Sequence, residues 1–365
     1  MDIFSNAQRA YLLLEDGSVY AGYSVGSKAE AIGELSFNTS VVGFQEILTD
    51  PANSNNMIVE TFPLVGNYGV SQGNDLNPHT TARGYIVREW CDKPSNFLCE
   101  GRIDEYLEQK GITGIFDLDT RALTRKVRDQ GNMLAVITTE ELTDAKKQEL
   151  AQKMRDYKRP VPAWKTNDQV LTFGSENAKY RLTMVDYGAR ADVIRALVAR
   201  DCRVTLVPAS WTAAQVKETS PEGIVLCGGA VEFEGIESEL ACVRELEGMG
   251  LPVLGIDFGH QLMALAAGAK IQRMHSGHRG ANCPVTETAS GRTFITTQNH
   301  GYVADCATAE GCLVSHQNTN DKTCEGLEFT GFAGMSVQFI PESEIGAKNF
   351  DGIYEKFLAM VASAR

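Results

Sequence analysis

The sequence lacks a long apolar run, a run of basic residues and any cysteine pair of the Cys-x-x-Cys type. Because no apolar run approaches the roughly 20 residues that span a bilayer, no membrane segment is expected. The first residues also lack the basic start and apolar stretch of a secretory signal. With a formal charge of −13, the chain repels the phosphate backbone of a nucleic acid on average. We therefore expect a cytoplasmic protein that binds neither membranes nor nucleic acids.

The cysteines are scattered, and their number, nine, is odd. This pattern predicts free thiols in a reducing compartment, with neither a disulfide framework nor a zinc site. Most of the histidines carry no metal-ligand spacing, namely His79, His275, His278 and His316. The sequence therefore predicts no metal and no cofactor.

A length of 365 residues fits two domains better than one. The composition of the first half is typical of mixed β and α structure. Apolar stretches on both sides of the turn-forming residues 15–18 predict a hairpin over 11–20. A helix is expected to begin with Asp119 or Thr120 as its N-cap, and its basic last turn precedes Gly131.

A polar segment separates the two halves. Residues 140–159 are highly charged, and Pro160 and Pro162 then exclude helix and favour extended chain. We predict an N-terminal domain over 1–160, a linker over 161–178 and a C-terminal domain over 179–365.

The second half alternates apolar strands with helical segments. Strand-like runs lie near 180–186, 203–208, 223–228 and 253–257, with amphipathic or alanine-rich segments between them. Continuous apolar strands that alternate with helices are typical of a doubly wound, mostly parallel sheet with helices on both faces. The predicted fold class is α/β, with a mixed β/α domain followed by this sheet domain.

The most informative segment is 252–270, where an apolar strand ends at Asp257 and an alanine-rich helix follows. Such a strand–turn–helix corner exposes one side chain beside the N–H groups of the helix N-terminus, a geometry that suits nucleophiles and oxyanions. Its residues Gly-Ile-Asp-Phe-Gly-His-Gln resemble the Gly-Ile-Cys-x-Gly-His-Gln motif of class I glutamine amidotransferases. More narrowly, the chain resembles the small subunit of carbamoyl-phosphate synthetase nearly end to end, in segments 37–50, 63–70, 114–125, 186–190, 277–282 and 297–301.

The resemblance implies an activity and a partner. In that family the small subunit hydrolyses glutamine and sends ammonia through a tunnel to a large subunit, which makes carbamoyl phosphate for pyrimidine or arginine synthesis. The family's glutaminase uses a cysteine nucleophile, a histidine base and a glutamate that orients the histidine. By motif these positions hold Asp257, Ile340 and Glu342. The nucleophile and the base are therefore replaced, and the glutamate is retained.

The glutamine-binding positions are partly retained. In the family's Asn-Gly-Pro-Gly-Asp loop, Cys227 replaces the asparagine, Ala230 the second glycine and Val231 the aspartate. The resemblance places the remaining glutamine contacts at Ser40, Gly228, Phe258, Gln261, Asn299, Gly301 and Tyr302. One interpretation of these side chains is that they are polar groups without a remaining function. Two alternatives stay open: weak binding of glutamine, and binding of an ammonium ion between Asp257 and Glu342.

No other residue offers an evident replacement for the lost triad members. Cys227 is the one thiol expected near the corner, and a small buried filler is the favoured interpretation of it. For His260 and His300 we favour structural roles.

Three functions follow from this pattern. The leading one is a small subunit without glutaminase activity that docks on, stabilises or regulates a large synthetase subunit supplied with free ammonia. The second is an orphan pseudo-glutaminase with a changed partner or ligand. The third, which lacks a base, is an enzyme that uses Asp257 for other chemistry such as ester or imine hydrolysis.

Overall fold

The computed structural model describes residues 7–79, 81–160, 167–229, 233–343, 345–346 and 352–365. The chain divides into two compact units, Met1–Val161 and Pro162–Arg365. None of the helices in the described ranges is both long and apolar enough to cross a membrane.

The first unit is a closed barrel with short helices. Its strands are β1 (Arg9–Leu14), β2 (Val19–Gly26), β3 (Ala31–Asn38), β4 (Asn56–Glu60), β5 (Leu64–Val65), β6 (Gly84–Ile86), β7 (Glu89–Trp90), β8 (Thr113–Phe116) and β9 (Met133–Thr138). Its helices are α1 (Phe44–Leu48), α2 (Ile103–Gln109), α3 (Thr120–Gln130) and α4 (Asp144–Arg155). The barrel closes in the order β1-β2-β8-β6-β4-β3-β9, and β5 pairs with β7 in a separate small sheet.

Two local predictions for this unit are confirmed. Strands β1 and β2 form an antiparallel hairpin that pairs Leu13 with Val19, and Gly17 takes a positive φ of 84° in its turn. Helix α3 begins with Asp119 as its N-cap, because this carboxylate accepts a hydrogen bond from the N–H of Ala122. The helix ends at Gly131, whose φ is 89°.

The second unit contains a ten-stranded sheet. Its strands are β10 (Leu171–Phe173), β11 (Tyr180–Asp186), β12 (Cys202–Pro208), β13 (Gly223–Gly228), β14 (Val253–Asp257), β15 (Lys270–Glu287), β16 (Thr293–Asp305), β17 (Cys312–Asn318), β18 (Cys324–Phe329) and β19 (Gly334–Val337). Its helices are α5 (Ala191–Val198), α6 (Ala213–Glu218), α7 (Glu237–Glu247), α8 (Phe258–Ala266) and α9 (Ile353–Ser363).

The predicted doubly wound arrangement is confirmed for the part of the sheet that carries the corner. Strands β12, β11, β13, β14 and β19 run parallel in that order. Their side chains alternate between two cores: one face packs against α5 and α9, and the other against α6, α7 and α8. Both faces are buried, which explains the continuous apolar runs of these strands.

The sheet differs from a mostly parallel one beyond β19. Strands β18, β17, β15 and β16 extend it by antiparallel pairing, so the whole sheet is mixed. At the other edge, β10 pairs antiparallel with β12. Strand β10 lies within 161–178, which the sequence had indicated as a linker, while residues 161–166 of that linker lie outside the described part of the chain.

Candidate functional site

The corner between β14 and α8 holds Asp257 in a strained backbone conformation. Its φ is 55° and its ψ is −108°, which a non-glycine residue adopts at a cost on the order of 1–3 kcal/mol. The close approach of α8 to the sheet requires glycine at position 259, because a Cβ there would lie 2.0 Å from the carbonyl oxygen of Leu226. Parallel pairing with β13 and β19 fixes the end of β14 on both sides. This is the geometry expected of a nucleophile-bearing corner.

The carboxylate of Asp257 is buried and bound by an amide side chain. It is 4% exposed, and Nε2 of Gln338 donates to its Oδ1 at 2.7 Å. The other end of the Gln338 amide accepts a hydrogen bond of 2.8 Å from Nε2 of Gln261. The same Gln261 nitrogen also donates to the carbonyl oxygen of Tyr302 at 3.0 Å. A chain of side-chain amides therefore connects Asp257 to strand β16.

The position predicted for the histidine base belongs to the hydrophobic core. Ile340 is 3% exposed and packs in the core beneath α5 and α9. Its backbone N–H donates to the carbonyl oxygen of Thr297 at 3.0 Å, which ties the segment after β19 to β16. An alkyl side chain at this position cannot accept or donate a proton.

The retained glutamate has a different partner from the one its family position implies. The guanidinium of Arg200 donates to both carboxylate oxygens of Glu342, at 3.1 Å in the contact between Nη1 and Oε2. The Nε of Arg200 also binds Glu355 at 2.7 Å. Because Arg200 already binds both oxygens of Glu342, the arrangement does not favour an ammonium ion held between Glu342 and Asp257.

The thiol and the imidazoles near the corner are poor substitutes for a catalytic pair. Burial raises the pKa of the Cys227 thiol to about 12, against the opposing effect of the Arg190 backbone N–H, so this thiol stays protonated at neutral pH. Burial lowers the pKa of His260 to about 3, and its Nδ1 lies 2.9 Å from the hydroxyl of Ser336. Burial, reinforced by the neighbouring His278, also holds the pKa of His300 well below its usual range. These observations support the structural interpretation of all three groups.

Aromatic rings pack around the predicted glutamine contacts of the second unit. The ring of Phe233 lies 5.5 Å from that of Phe258 and 4.9 Å from that of Tyr302, both edge-on. Phe258 itself is fully buried. At Gly228 a Cβ would lie 1.9 Å from the carbonyl oxygen of Tyr187, so only glycine fits. Phe233 was missed by the sequence analysis, since no motif marks it.

The remaining predicted glutamine contacts are divided between the two units of the chain. Asn299 is 7% exposed, and its Oδ1 has no hydrogen-bond partner within the described ranges. A Cβ on Gly301 would lie 2.9 Å from Nη2 of Arg279. Ala230 and Val231 of the altered loop lie outside the described residues. Ser40 belongs to the first unit, and its surroundings are those of the barrel domain.

Ser40 lines a small cavity of the first unit together with Glu60 and Tyr68. The cavity measures about 10 Å³, which is close to the space that one water molecule needs. The hydroxyl of Ser40 and Oε1 of Glu60 are both buried without a partner among the described residues. Burial raises the pKa of Glu60 to about 8, although the Tyr85 hydroxyl at 3.2 Å from Oε2 opposes the shift.

We expect Glu60 to make the stability of the first unit depend on pH. Its pKa is about 8 in the folded chain, above the ordinary 4.5 of a glutamate, so the folded form binds more protons than the unfolded form between these two pH values. Its stabilising contribution is therefore complete below 4.5 and is lost as the pH rises through 8. Denaturant unfolding between pH 5 and pH 9 should show this loss in the wild type and a flatter profile in Glu60→Gln. The control is Glu89→Gln at an exposed site, and superimposable profiles of wild type and Glu60→Gln would refute the assignment.

Comparison with known proteins agrees with this architecture. The family model described as "Carbamoyl-phosphate synthase small chain, CPSase domain" matches residues 12–137, and "Glutamine amidotransferase class-I" matches 183–360. The carbamoyl phosphate synthase small chain of Listeria monocytogenes serotype 4b is 38% identical over 352 residues, covering 96% of each chain. The pyrimidine-specific small chain of Lactiplantibacillus plantarum is 35% identical, covering 97% of this chain and 96% of its own length.

A solved glutamine amidotransferase from Thermotoga maritima covers 51% of this chain and 90% of its own, with 14% identity and a TM-score of 0.38. The fold and the corner define the second unit as a class I glutamine amidotransferase domain. With both units matched, the chain belongs to the carbamoyl phosphate synthase small-chain family.

Proposed function

We propose that this protein is a small chain without glutaminase activity, which docks on a carbamoyl phosphate synthase large chain and stabilises or regulates a synthetase supplied with free ammonia. The observation that carries the proposal is the pair of side chains at the corner. Asp257 occupies the strained position between β14 and α8, and Ile340 is buried in the core.

The chemistry of these two residues opposes amide hydrolysis. A carboxylate attacks an amide carbonyl poorly, and its charge lies where the oxyanion must form, which opposes stabilisation by the backbone N–H groups. Ile340 provides no proton for the departing ammonia. In a comparable hydrolase, loss of the triad lowers kcat by roughly 10⁶-fold. The protonated Cys227 thiol provides no alternative nucleophile.

The retention of the first unit supports docking. The small-chain family model covers residues 12–137, and the relatives match across both units at 35–38% identity. Selection for glutamine hydrolysis alone would not account for a barrel domain kept beside an altered corner. We therefore propose that the partner is a large chain of carbamoyl phosphate synthase, in pyrimidine or arginine synthesis.

Docking is tested by mixing the purified chain with the carbamoyl phosphate synthase large chain of the same source. We expect a complex at micromolar concentrations in size-exclusion chromatography with light scattering, and competition with a catalytically active small chain for the same surface. An unrelated protein of similar charge is the control. Failure to form the complex would contradict docking and favour the orphan pseudo-glutaminase.

A further inference from the structure

Three antiparallel strands of the second unit bring two imidazoles and a carboxylate together in the interior. His278 on β15 pairs in register with His300 on β16, and Glu325 lies on the neighbouring part of β18. One ligand atom from each lies within 4.8 Å of the others. Glu325 is fully buried, and His300 is 3% exposed. None of these three residues holds one of the glutaminase triad positions, which are Asp257, Ile340 and Glu342.

The hydrogen bonds of His300 fix the location of its single proton. Nδ1 lies 2.8 Å from the carbonyl oxygen of Tyr302, which can only accept, so Nδ1 is the protonated nitrogen. Because burial keeps the imidazole neutral, Nε2 carries a lone pair. This lone pair points towards Oε1 of Gln298 at 3.1 Å and Oε1 of Glu325 at 3.9 Å.

The orientation of the Gln298 amide follows from its other neighbour. The hydroxyl of Thr296 donates to the carbonyl oxygen of Cys283 at 2.9 Å, so it can only accept the hydrogen bond of 3.0 Å from Nε2 of Gln298. The oxygen of the Gln298 side chain therefore faces Nε2 of His300. Nε2 of His300 and Oε1 of Gln298 are therefore two acceptors that face each other with no proton between them.

The carboxyl group of Glu325 lies at the same point. Its Oε1 lies 3.2 Å from Nδ1 of His278, and its Oε2 is buried without a hydrogen-bond partner in the part of the chain that is described. The other nitrogen of His278, Nε2, lies 2.9 Å from Oδ2 of Asp321. An excess of buried acceptors is costly unless a cation satisfies it.

We propose that Nδ1 of His278, Nε2 of His300 and the carboxylate of Glu325 bind a divalent transition-metal ion. Two histidines and one glutamate are a known ligand set of Zn²⁺, whose bonds of about 2.0–2.2 Å place tetrahedral ligand atoms roughly 3.3 Å apart. The 3.2 and 3.9 Å separations from Glu325 Oε1 are close to this spacing. The side-chain oxygen of Gln298 is available as a fourth ligand.

The surroundings of the three ligands match those of a metal site. Metal-bound histidines usually donate their second N–H to a carboxylate or a carbonyl, and here Asp321 and the Tyr302 carbonyl are those acceptors. Asp321, which contacts His278, also lines a cleft of about 450 Å³. The bound ion would hold β15, β16 and β18 together next to the segment that carries Asn299, Gly301 and Tyr302.

Metal binding is tested on the untagged full-length chain after treatment with a chelator. Isothermal titration with ZnCl₂ should give one ion per chain and a higher melting temperature. His300→Gln and Glu325→Gln should weaken binding by about 100-fold or more, with the fold checked by circular dichroism. His275→Gln is the matched control, because His275 lies exposed on the same strand and outside the group; it should bind as the wild type does.

Co²⁺ provides a second readout on the unmodified protein, which does not depend on the folding of any variant. Binding through imidazole and carboxylate gives visible ligand-field bands without the near-ultraviolet charge-transfer band of thiolate ligands. Substoichiometric Zn²⁺ binding by the wild type, equal binding by all variants, or a thiolate band with Co²⁺ would each overturn the proposal. In the first case His278 would be an imidazolium shared by Glu325 and Asp321.

Discussion

Replacing Ile340 by histidine is expected to lower the free energy of unfolding of the second unit by about 3–5 kcal/mol. Ile340 is 3% exposed in a packed core, so the change removes buried alkyl contacts and introduces ring nitrogens without arranged partners. Desolvation of these nitrogens adds to the loss of packing. Denaturant unfolding monitored by circular dichroism measures the effect.

The matched control is Ile340→Val, which keeps the position apolar and should cost only about 0.5–1.5 kcal/mol. A stability of Ile340→His equal to that of the wild type would mean that the site still accommodates an imidazole, against this account.

The double variant Asp257→Cys with Ile340→His extends the test to activity. We expect it to release only traces of ammonia from glutamine. The reason is that the ring of Phe233 packs against Phe258 and Tyr302, two of the predicted glutamine contacts.

Replacing Asp192 by alanine is also expected to cost about 3–5 kcal/mol, because it removes a buried carboxylate that binds a buried guanidinium through two contacts. Arg190 and Asp192 are 1% and 2% exposed, respectively. The guanidinium donates through Nε to Oδ1 at 3.0 Å and through Nη2 to Oδ2 at 2.7 Å. This pair lies at the start of α5, and the backbone N–H of Arg190 reaches Cys227 at the end of β13.

The first unit provides a control with the same local geometry. Arg102 and Asp104 have the same spacing at the start of α2 and the same two contacts, at 2.9 and 2.5 Å. Their side chains are 42% and 23% exposed, so Asp104→Ala should cost no more than about 1 kcal/mol. Equal costs for Asp104→Ala and Asp192→Ala in unfolding experiments would show that burial does not decide the strength of this pair.

Local patterns predicted the elements whose partners are close in sequence. The hairpin of β1 and β2 and the boundaries of α3 follow from turn and capping residues. Closure of the barrel depends on β1 pairing with β9, where Leu12 faces Ile137, and no local signal encodes a pairing across more than a hundred residues. The antiparallel extension beyond β19 was missed for the same reason, since apolar periodicity identifies strands but not their neighbours.

In the candidate site, too, local motifs predicted some features, whereas contacts between residues distant in sequence could not be predicted. The motif around Asp257 located the corner, and the Pro-Glu segment located Ile340 and Glu342. The contact of Arg200 with Glu342 joins residues far apart in sequence, so this partner of the glutamate could not be predicted. The spacing of the histidines gave no indication of the metal site proposed above, because residues contributed by three different strands leave no linear motif.

Loss of glutaminase activity is measured as ammonia release from glutamine by the wild-type chain, in complex with its large chain, beside an active small chain of the family. We expect release at background level, about 10⁶-fold below the active protein, while ammonium chloride supports carbamoyl phosphate synthesis by the same complex. Glutamine-dependent release at a rate comparable with that of the active small chain would contradict it.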